Sequence, residues 1–146
     1  MIEIRSVAAE LTRALRQQVL RPNQAPEELV YPGDEAPGSF HLGAYRCDHL
    51  VGTISLSLEE REEGGSTCGS YRLRGMAIAS DAQGNGIGAR LLGEAFEKMS
   101  AAGGERVWCN ARLSAAGFYD RHGFHRIGPE FDLPGIGPHV SMEREF

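Results

Sequence analysis

Three alternating glycines, Gly84, Gly86 and Gly88, follow a strand-like run, YRLRGMAI, and open an amphipathic stretch with helical spacing. With no Cβ, such backbone can approach a ligand closely and keep its N–H groups pointing outward. A helix start adds a positive dipole end and unpaired first-turn N–H groups, so the segment suits an anion such as phosphate. A phosphorylated ligand is therefore expected. A P-loop needs Lys and Ser or Thr after its last glycine, where Ala89 and Arg90 stand, and is excluded. The string from Gly84 to Ala89 formally matches a dinucleotide fingerprint, but Glu105 precedes the next strand, VWCN, instead of closing it. Too little chain follows for the rest of such a fold. An ordinary tight turn and helix start is the reading without a ligand.

Other reactive groups are fewer. Cys109 lies in mid-strand, where a thiol serves as a small core residue more often than as a nucleophile. Cys47, Cys68 and Cys109 are scattered without C-x-x-C spacing, so reduced thiols and no metal site are expected. In the run 71–78, strand alternation puts Arg72, Arg74, Met76 and Ile78 on one face. An arginine there cannot act as a base, but it can bind a carboxylate or phosphate, or simply face solvent.

Gln83-Gly84-Asn85-Gly86-Ile87-Gly88, behind a short acidic turn at 80–82, resembles the R/Q-x-x-G-x-G/A signature of the GNAT superfamily of acyl-CoA-dependent N-acyltransferases. Downstream, Trp108-Cys109-Asn110-Ala111-Arg112 and then Ala115-x-x-Phe118-Tyr119-x-x-x-Gly123-Phe124 are similar to that family's fifth strand, next helix and "FY…GF" element. The ending, Gly135-Ile136-Gly137-Pro138-His139-Val140-x-Met142, resembles that of a bacterial subgroup with a GI-PH-x-M tail.

The resemblance implies an N-acetyltransferase that uses acetyl-CoA as co-substrate and no metal. Its pantetheine arm would pair with backbone groups of Met76, Ala77 and Ile78, and its pyrophosphate would lie on the N–H groups of Gln83, Gly84, Asn85, Gly86, Ile87, Gly88 and Ala89. Tyr119 would stand beside the thioester sulfur as general acid, since a phenol titrating near 10 is protonated at neutral pH. Arg112 holds a place where many relatives carry an asparagine for the pantetheine, so either Asn110, at the strand's end, or Arg112 is the expected contact; a purely structural Asn110 stays open. The strand-four glutamate that serves several relatives as base is absent. Candidate bases are His139, His41, Asp34 and Glu28, with His139 best placed. Arg74 and His41 are the expected acceptor contacts. The implied reaction is direct attack by a primary amine of a small molecule or peptide within a ternary complex. A non-catalytic acyl-CoA sensor or interaction module is the alternative, and a homodimer stays open.

Elements must hold these groups in place. Residues 1–5 alternate as a strand, Ser6 suits a helix N-cap, and Val7, Leu11, Leu15 and Val19 recur every four residues until Pro22. Residues 22–39 read as a loop with a helical turn near 27–30. Strands at 41–45 and 50–58 flank a hairpin through residues 46–49, and the charged, glycine-rich segment 59–69 reads as a hairpin tip. A strand at 71–78 leads to a helix with the stripe Ile87, Leu91, Leu92, Ala95, Phe96 and Met99, ended by Gly103-Gly104. A strand at 106–110, a helix at 114–122 capped by Gly123, and strands near 124–131 and 138–145 complete the order. The expected class is α+β, a three-layer α/β arrangement: a mixed, mostly antiparallel sheet of about seven strands with flanking helices, splayed between the fourth and fifth, as the resemblance implies.

With 146 residues the chain is expected to form one domain, 1–146. A net charge of −5 without a basic run argues against nucleic acid. No apolar run approaches the roughly 20 residues of a transmembrane helix, so no membrane partner is expected. The opening MIEIRSVAAEL lacks the apolar stretch of a secretion signal, which points to the cytoplasm.

Overall fold

The computed structural model describes residues 1–59 and 69–146; the middle of the expected hairpin tip, 60–68, and Cys68 lie outside the described residues. After β1 (Ile2–Ser6) comes a first helical segment, built from a 3₁₀ turn at Ala9–Thr12, one α-helical turn, α1 (Arg13–Leu15), and a π turn at Arg16–Leu20. Then follow β2 (Phe40–Arg46), β3 (His49–Leu58), β4 (Ser70–Ile78), α2 (Ile87–Ala101), β5 (Arg106–Arg112) and α3 (Leu113–Arg121). The expected strand at 124–131 is two short pieces, β6 (His125–Arg126) and β7 (Phe131–Leu133), both paired to β8 (Gly137–Glu145). Among the described residues the sheet thus has eight strands, ordered β1-β2-β3-β4-β5-β8-β6 with β7 on β8, and every pairing is antiparallel except β4–β5. Among the described residues, no helix is long and apolar enough to cross a membrane.

The expected hairpin between β2 and β3 closes on two residues, Cys47 and Asp48, with φ of 51° and 63°. Positive φ at both positions makes the primed turn whose twist matches that of the strands it joins. The stripe of α2 is as expected, with Ile87, Leu91, Leu92, Ala95 and Met99 buried and Phe96 packed against them. Gly103, at φ +88°, ends it in the left-handed conformation that favours glycine.

Cross-strand partners share a face, so the register sorts the sheet into two sides. On one, Leu42, Ile54, Leu73, Val107, Cys109, Ala111, Val140 and Met142 form the core with α2 and α3. On the other, the matching positions are polar: His41, Ser55, Ser57, Arg72, Arg74, Asn110, Arg112, His139 and Ser141. The first helical segment covers the β2–β4 part of this polar side, which gives three layers.

That segment corrects the sequence expectation. Ser6 does not cap it; Ser6 ends β1, and Val7 extends the ladder by donating its N–H to the His41 carbonyl at 3.0 Å. Its buried residues are Ala9, Thr12, Leu15 and Arg16, whereas Leu11 is exposed. Changes of pitch from 3₁₀ to α to π defeat a constant four-residue period. The π turn delivers Arg16, fully buried, to Asp34: Nη1 to Oδ2 at 2.7 Å and Nη2 to Oδ1 at 2.9 Å. Arg16 also donates to the Leu29 carbonyl and to Ser55 Oγ, and the Tyr31 ring lies 4.0 Å from its guanidinium. Burial pushes the Asp34 carboxyl up, but hydrogen bonds from Arg16 and the Tyr31 N–H outweigh this and leave it below its ordinary value.

This pair fixes the 22–39 loop to the sheet. Removing the carboxylate alone, as in Asp34→Ala, leaves a buried guanidinium uncompensated and should cost about 3–5 kcal/mol of stability, measured by urea unfolding at pH 7. Since the folded-state value is depressed, the Asp34 contribution is complete above the unfolded-state value of about 3.9 and fades as pH falls through the folded one. Below about pH 4, wild type should therefore lose more stability than Asp34→Asn does.

Candidate active site

β4 and β5 pair at only three positions, Ser70–Arg106, Tyr71–Val107 and Arg72–Trp108. Beyond them the strands part, so from Leu73 onward the β5-facing edge of β4 is open. A cavity of about 360 Å³ lies at the parting. Leu73, Cys109, Ala111, Ala115 and Tyr119 line it from the apolar side of the sheet, and Arg72, Arg74, Asn110, Arg112 and His139 from the polar side. Leu20, Arg21 and Tyr31 border it beside the first helical segment. The parting thus lets groups from both faces meet in one space.

A bulge tunes β4 at this point. Ser55 pairs with Arg74 and Thr53 with Ala77, so one β3 residue faces two on β4, Gly75 and Met76. Gly75 has φ +64°, and a Cβ there would stand 2.9 Å from Arg16 Nε. Its carbonyl accepts the Thr53 hydroxyl at 3.1 Å. The bulge overturns the expectation that Arg72, Arg74, Met76 and Ile78 share a face: Ile78 pairs with Gly52 and packs toward α2. A glycine inside an otherwise strand-like run is the signal that marks such a bulge. Met76 lines the cavity, whereas Ala77 and Ile78 lie farther along β4 and do not.

Tyr119 is buried on α3, with its ring edge-on to Phe118 and Phe124 at centroid distances of 5.3 and 5.2 Å. Burial, and secondarily Cys109, push its phenol well above the ordinary value, so it stays protonated at neutral pH. Burial likewise pushes the Cys109 thiol up to about 12, which removes the thiolate a nucleophile would need. Of the four candidate bases, His139 alone lines the cavity. Its Nδ1 donates to the Gly137 carbonyl at 2.8 Å, and this tautomer leaves the Nε2 lone pair free to accept a proton. Asp34 is held by Arg16. Glu28 accepts the Ala25 N–H at 3.0 Å and caps its own turn. His41, expected at the acceptor, is instead buried behind the cavity, with its ring nitrogens 2.6 Å from Ser55 Oγ and 2.9 Å from the Asp34 carbonyl.

Asn110 lies within β5, which runs two residues beyond its expected end. Its Oδ1 accepts the Ser141 hydroxyl at 2.7 Å, which leaves the amide N–H groups for another partner. Arg112 caps α3 by position and donates through Nη2 to the Leu20 carbonyl. Arg74 donates to Glu59 at 3.4 Å and to the Pro32 carbonyl at 3.3 Å.

The glycine loop closes no cavity wall, and its backbone is open at two left-handed glycines. Gly84 and Gly86 have φ of 82° and 74°, and a Cβ at either would meet nothing within 4 Å. At its two ends the Ala82 N–H bonds to the Ala79 carbonyl and the Arg90 N–H to that of Gly86. Gln83 and Asn85 spend their side-chain amides on the carbonyls of Ile78 and Ala82, which stiffens the loop. Gly88 packs against Phe118, which ties the start of α2 to α3.

Residues 5–146 match the family model of the acetyltransferase (GNAT) domain. An uncharacterised N-acetyltransferase of Bacillus subtilis (strain 168), YitI, is 37% identical over 142 residues, covering 97% of this chain and 95% of that protein. Among solved structures, Escherichia coli ElaA superposes with a TM-score of 0.80 at 18% identity, covering 99% of this chain and 100% of that one. An aminoglycoside 6'-N-acetyltransferase in complex with coenzyme A gives a TM-score of 0.73 at 16% identity, covering 98% and 96%. The likenesses to solved structures speak for the fold; the family match and the Bacillus relative, together with the parted strands and the glycine loop, identify the chain as an acyltransferase belonging to the GNAT family.

Proposed function

We propose that this chain moves an acetyl group from acetyl-CoA to a primary amine of a small molecule or peptide, by direct attack within a ternary complex. The observation that carries the reading is the parting of β4 and β5, which brings Tyr119 and His139 from opposite sides of the sheet to one cavity. Acetyl-CoA supplies the activated thioester; the protein supplies position and protons. Residues Gln83 to Ala89 would hold the pyrophosphate with the loop's N–H groups. The open edge of β4, at Met76, Ala77 and Ile78, offers the pantetheine the backbone groups that a neighbouring strand would otherwise take, and a β4 N–H would polarise the thioester carbonyl. The Asn110 amide borders the same gap and would steady the arm.

In the transfer, His139 Nε2 takes the proton that the attacking amine loses as its nitrogen bonds to the carbonyl carbon. The Tyr119 hydroxyl gives its proton to the sulfur as the carbon–sulfur bond breaks. Solvent then returns a proton to Tyr119 and removes the one on His139. Cys109 takes no part, because its thiol stays protonated. A cytoplasmic setting suits this reading, and Cys47 and Cys109 are both free thiols.

The loop is tested with Gly86→Glu and Gly86→Ala. Both strain the left-handed backbone at residue 86, but only glutamate adds a charge that repels pyrophosphate. By calorimetry, CoA affinity should fall at least about tenfold more in Gly86→Glu than in Gly86→Ala; equal affinities would remove the loop from the binding site.

Tyr119→Phe keeps the ring contacts and removes the proton. Turnover with saturating acetyl-CoA and an amine found by a broad thiol-release screen should fall about 100-fold, with CoA affinity and thermal stability little changed. Because the phenol is pushed up, wild-type kcat should show no alkaline decline from Tyr119 below pH 10 or so. Tight CoA binding without turnover on any amine would instead favour a sensor, a reading motivated by the lack of a carboxylate on β4.

A further inference from the structure

The cavity has an uneven charge. Four arginines line it, Arg21, Arg72, Arg74 and Arg112, and no aspartate or glutamate is among its lining residues. Among the described residues, one carboxylate bonds directly to any of the four: Glu59, whose oxygen Oε1 accepts from Arg72 at 3.0 Å and from Arg74 at 3.4 Å, while Asp34, already paired with Arg16, attracts Arg74 from farther off. Arg21 and Arg112 share a neutral partner, the Leu20 carbonyl. Among the described residues, four guanidinium groups, with one carboxylate bonded to two of them, leave this small space with a positive balance.

Their hydrogen-bonding capacity is also underused. A guanidinium has five N–H donors. Arg112 is held through one nitrogen, and the buried Nε of Arg74 has no partner. Burial, and then the neighbouring arginine, press on the charged state of Arg74 and of Arg112. The glycine loop that suits pyrophosphate is not part of this lining, so the arginines are surplus to phosphate binding there.

We propose that the polar side of this cavity selects an acceptor amine that also carries an anionic group, bound by Arg74, Arg112 and Arg21. The inference rests on the transferase reading of the same cavity and names its substrate class. Guanidinium forks match a carboxylate or phosphate bidentately. The same positive field repels polycationic acceptors. It also favours the neutral, attacking form of the substrate amine over its ammonium, which lightens the task of His139. A zwitterion such as an amino acid satisfies both demands, with its anion on the arginines and its amine toward the parting of the strands.

The test is a set of matched acceptors: amino acids against their carboxamides and their decarboxylated amines, and O-phosphoethanolamine against ethanolamine. Each is read as thiol release from acetyl-CoA and, with CoA present, as calorimetric binding. The anionic member of each pair should be favoured about 100-fold in kcat/KM or in affinity, and whichever arm is stronger identifies the anion. The preference should shrink at least tenfold in Arg74→Gln and in Arg21→Gln, and should narrow in high salt. Two variants guard against one failing to fold. If anionic members bind preferentially while no amine is acetylated, the transferase reading falls and the anion site stands. If acetylation proceeds with neutral amines as well as with their anionic partners, or if neither member of any pair binds, the charge selection proposed here is wrong.

Discussion

β4 and β5 stop pairing after Arg72 and Trp108, and the rest of the site follows from that parting. A backbone N–H or C=O left without a partner and shielded from water costs about 1–3 kcal/mol. The edge of β4 beyond Leu73 is thus chemically a strand that lacks a neighbour, and an extended ligand with amide groups can take the vacant place. The parting also opens the sheet from one side to the other. Tyr119, on the α3 side, and His139, on the polar side, could not otherwise face the same volume. In the proposed reaction, proton donor and proton acceptor would therefore approach a bound thioester from different layers.

Several features shape β4 beside the parting. The bulge at Gly75 re-aims the β4 backbone, and Arg16 fills the space that a Cβ at that glycine would need. Arg16 is held by the Asp34 carboxylate, and Ser55, its partner on β3, also contacts His41. A buried ion pair with satisfied hydrogen bonds contributes more to a single arrangement than to raw stability, since its desolvation offsets much of the Coulomb gain. Here that arrangement places the 22–39 loop, and with it Tyr31, at the cavity border. His41, a candidate for substrate contact from sequence, belongs to this support and not to the lining.

The sequence displayed the parts of the fold that rest on local rules. The α2 stripe, the two-residue hairpin at Cys47-Asp48 and the glycine loop each follow from spacing or backbone freedom within a few residues. Tyr119, His139, Asn110 and Arg74 come together at one cavity largely because spaced motifs mark the strands and helix that carry them. What stayed hidden was non-local or irregular. The first helical segment changes pitch twice, so its buried face follows Ala9, Thr12, Leu15 and Arg16 instead of a four-residue period. Arg16, one of three arginines between residues 13 and 21, gives no sign that its carboxylate lies eighteen positions on. The alternation on β4 misled because one extra residue at Gly75–Met76 inverts every face beyond it. Gly75 carried that signal, but a glycine in a strand admits several explanations.

Burial gives Tyr119 and Cys109 opposite fates from one cause. Both sit on the apolar side of the parting, and desolvation raises both, since each would be charged only after losing its proton. For a thiol this is disabling, because its nucleophile is the thiolate. For a general acid burial keeps the protonated, working form populated but weakens its driving force, because a thiolate is ordinarily a weaker base than a phenolate raised above 10. Packing between Phe118 and Phe124 and acid catalysis are thus compatible roles for one ring. The polar side has the complementary logic. There the guanidinium charges are permanent, since no accessible pH neutralises them; in the proposed reaction that side would orient the substrate and offer His139 as proton acceptor, while the apolar side would offer the Tyr119 proton. The fixed charges stand on one face of the sheet and the phenol on the other, and the parted strands are where the two meet.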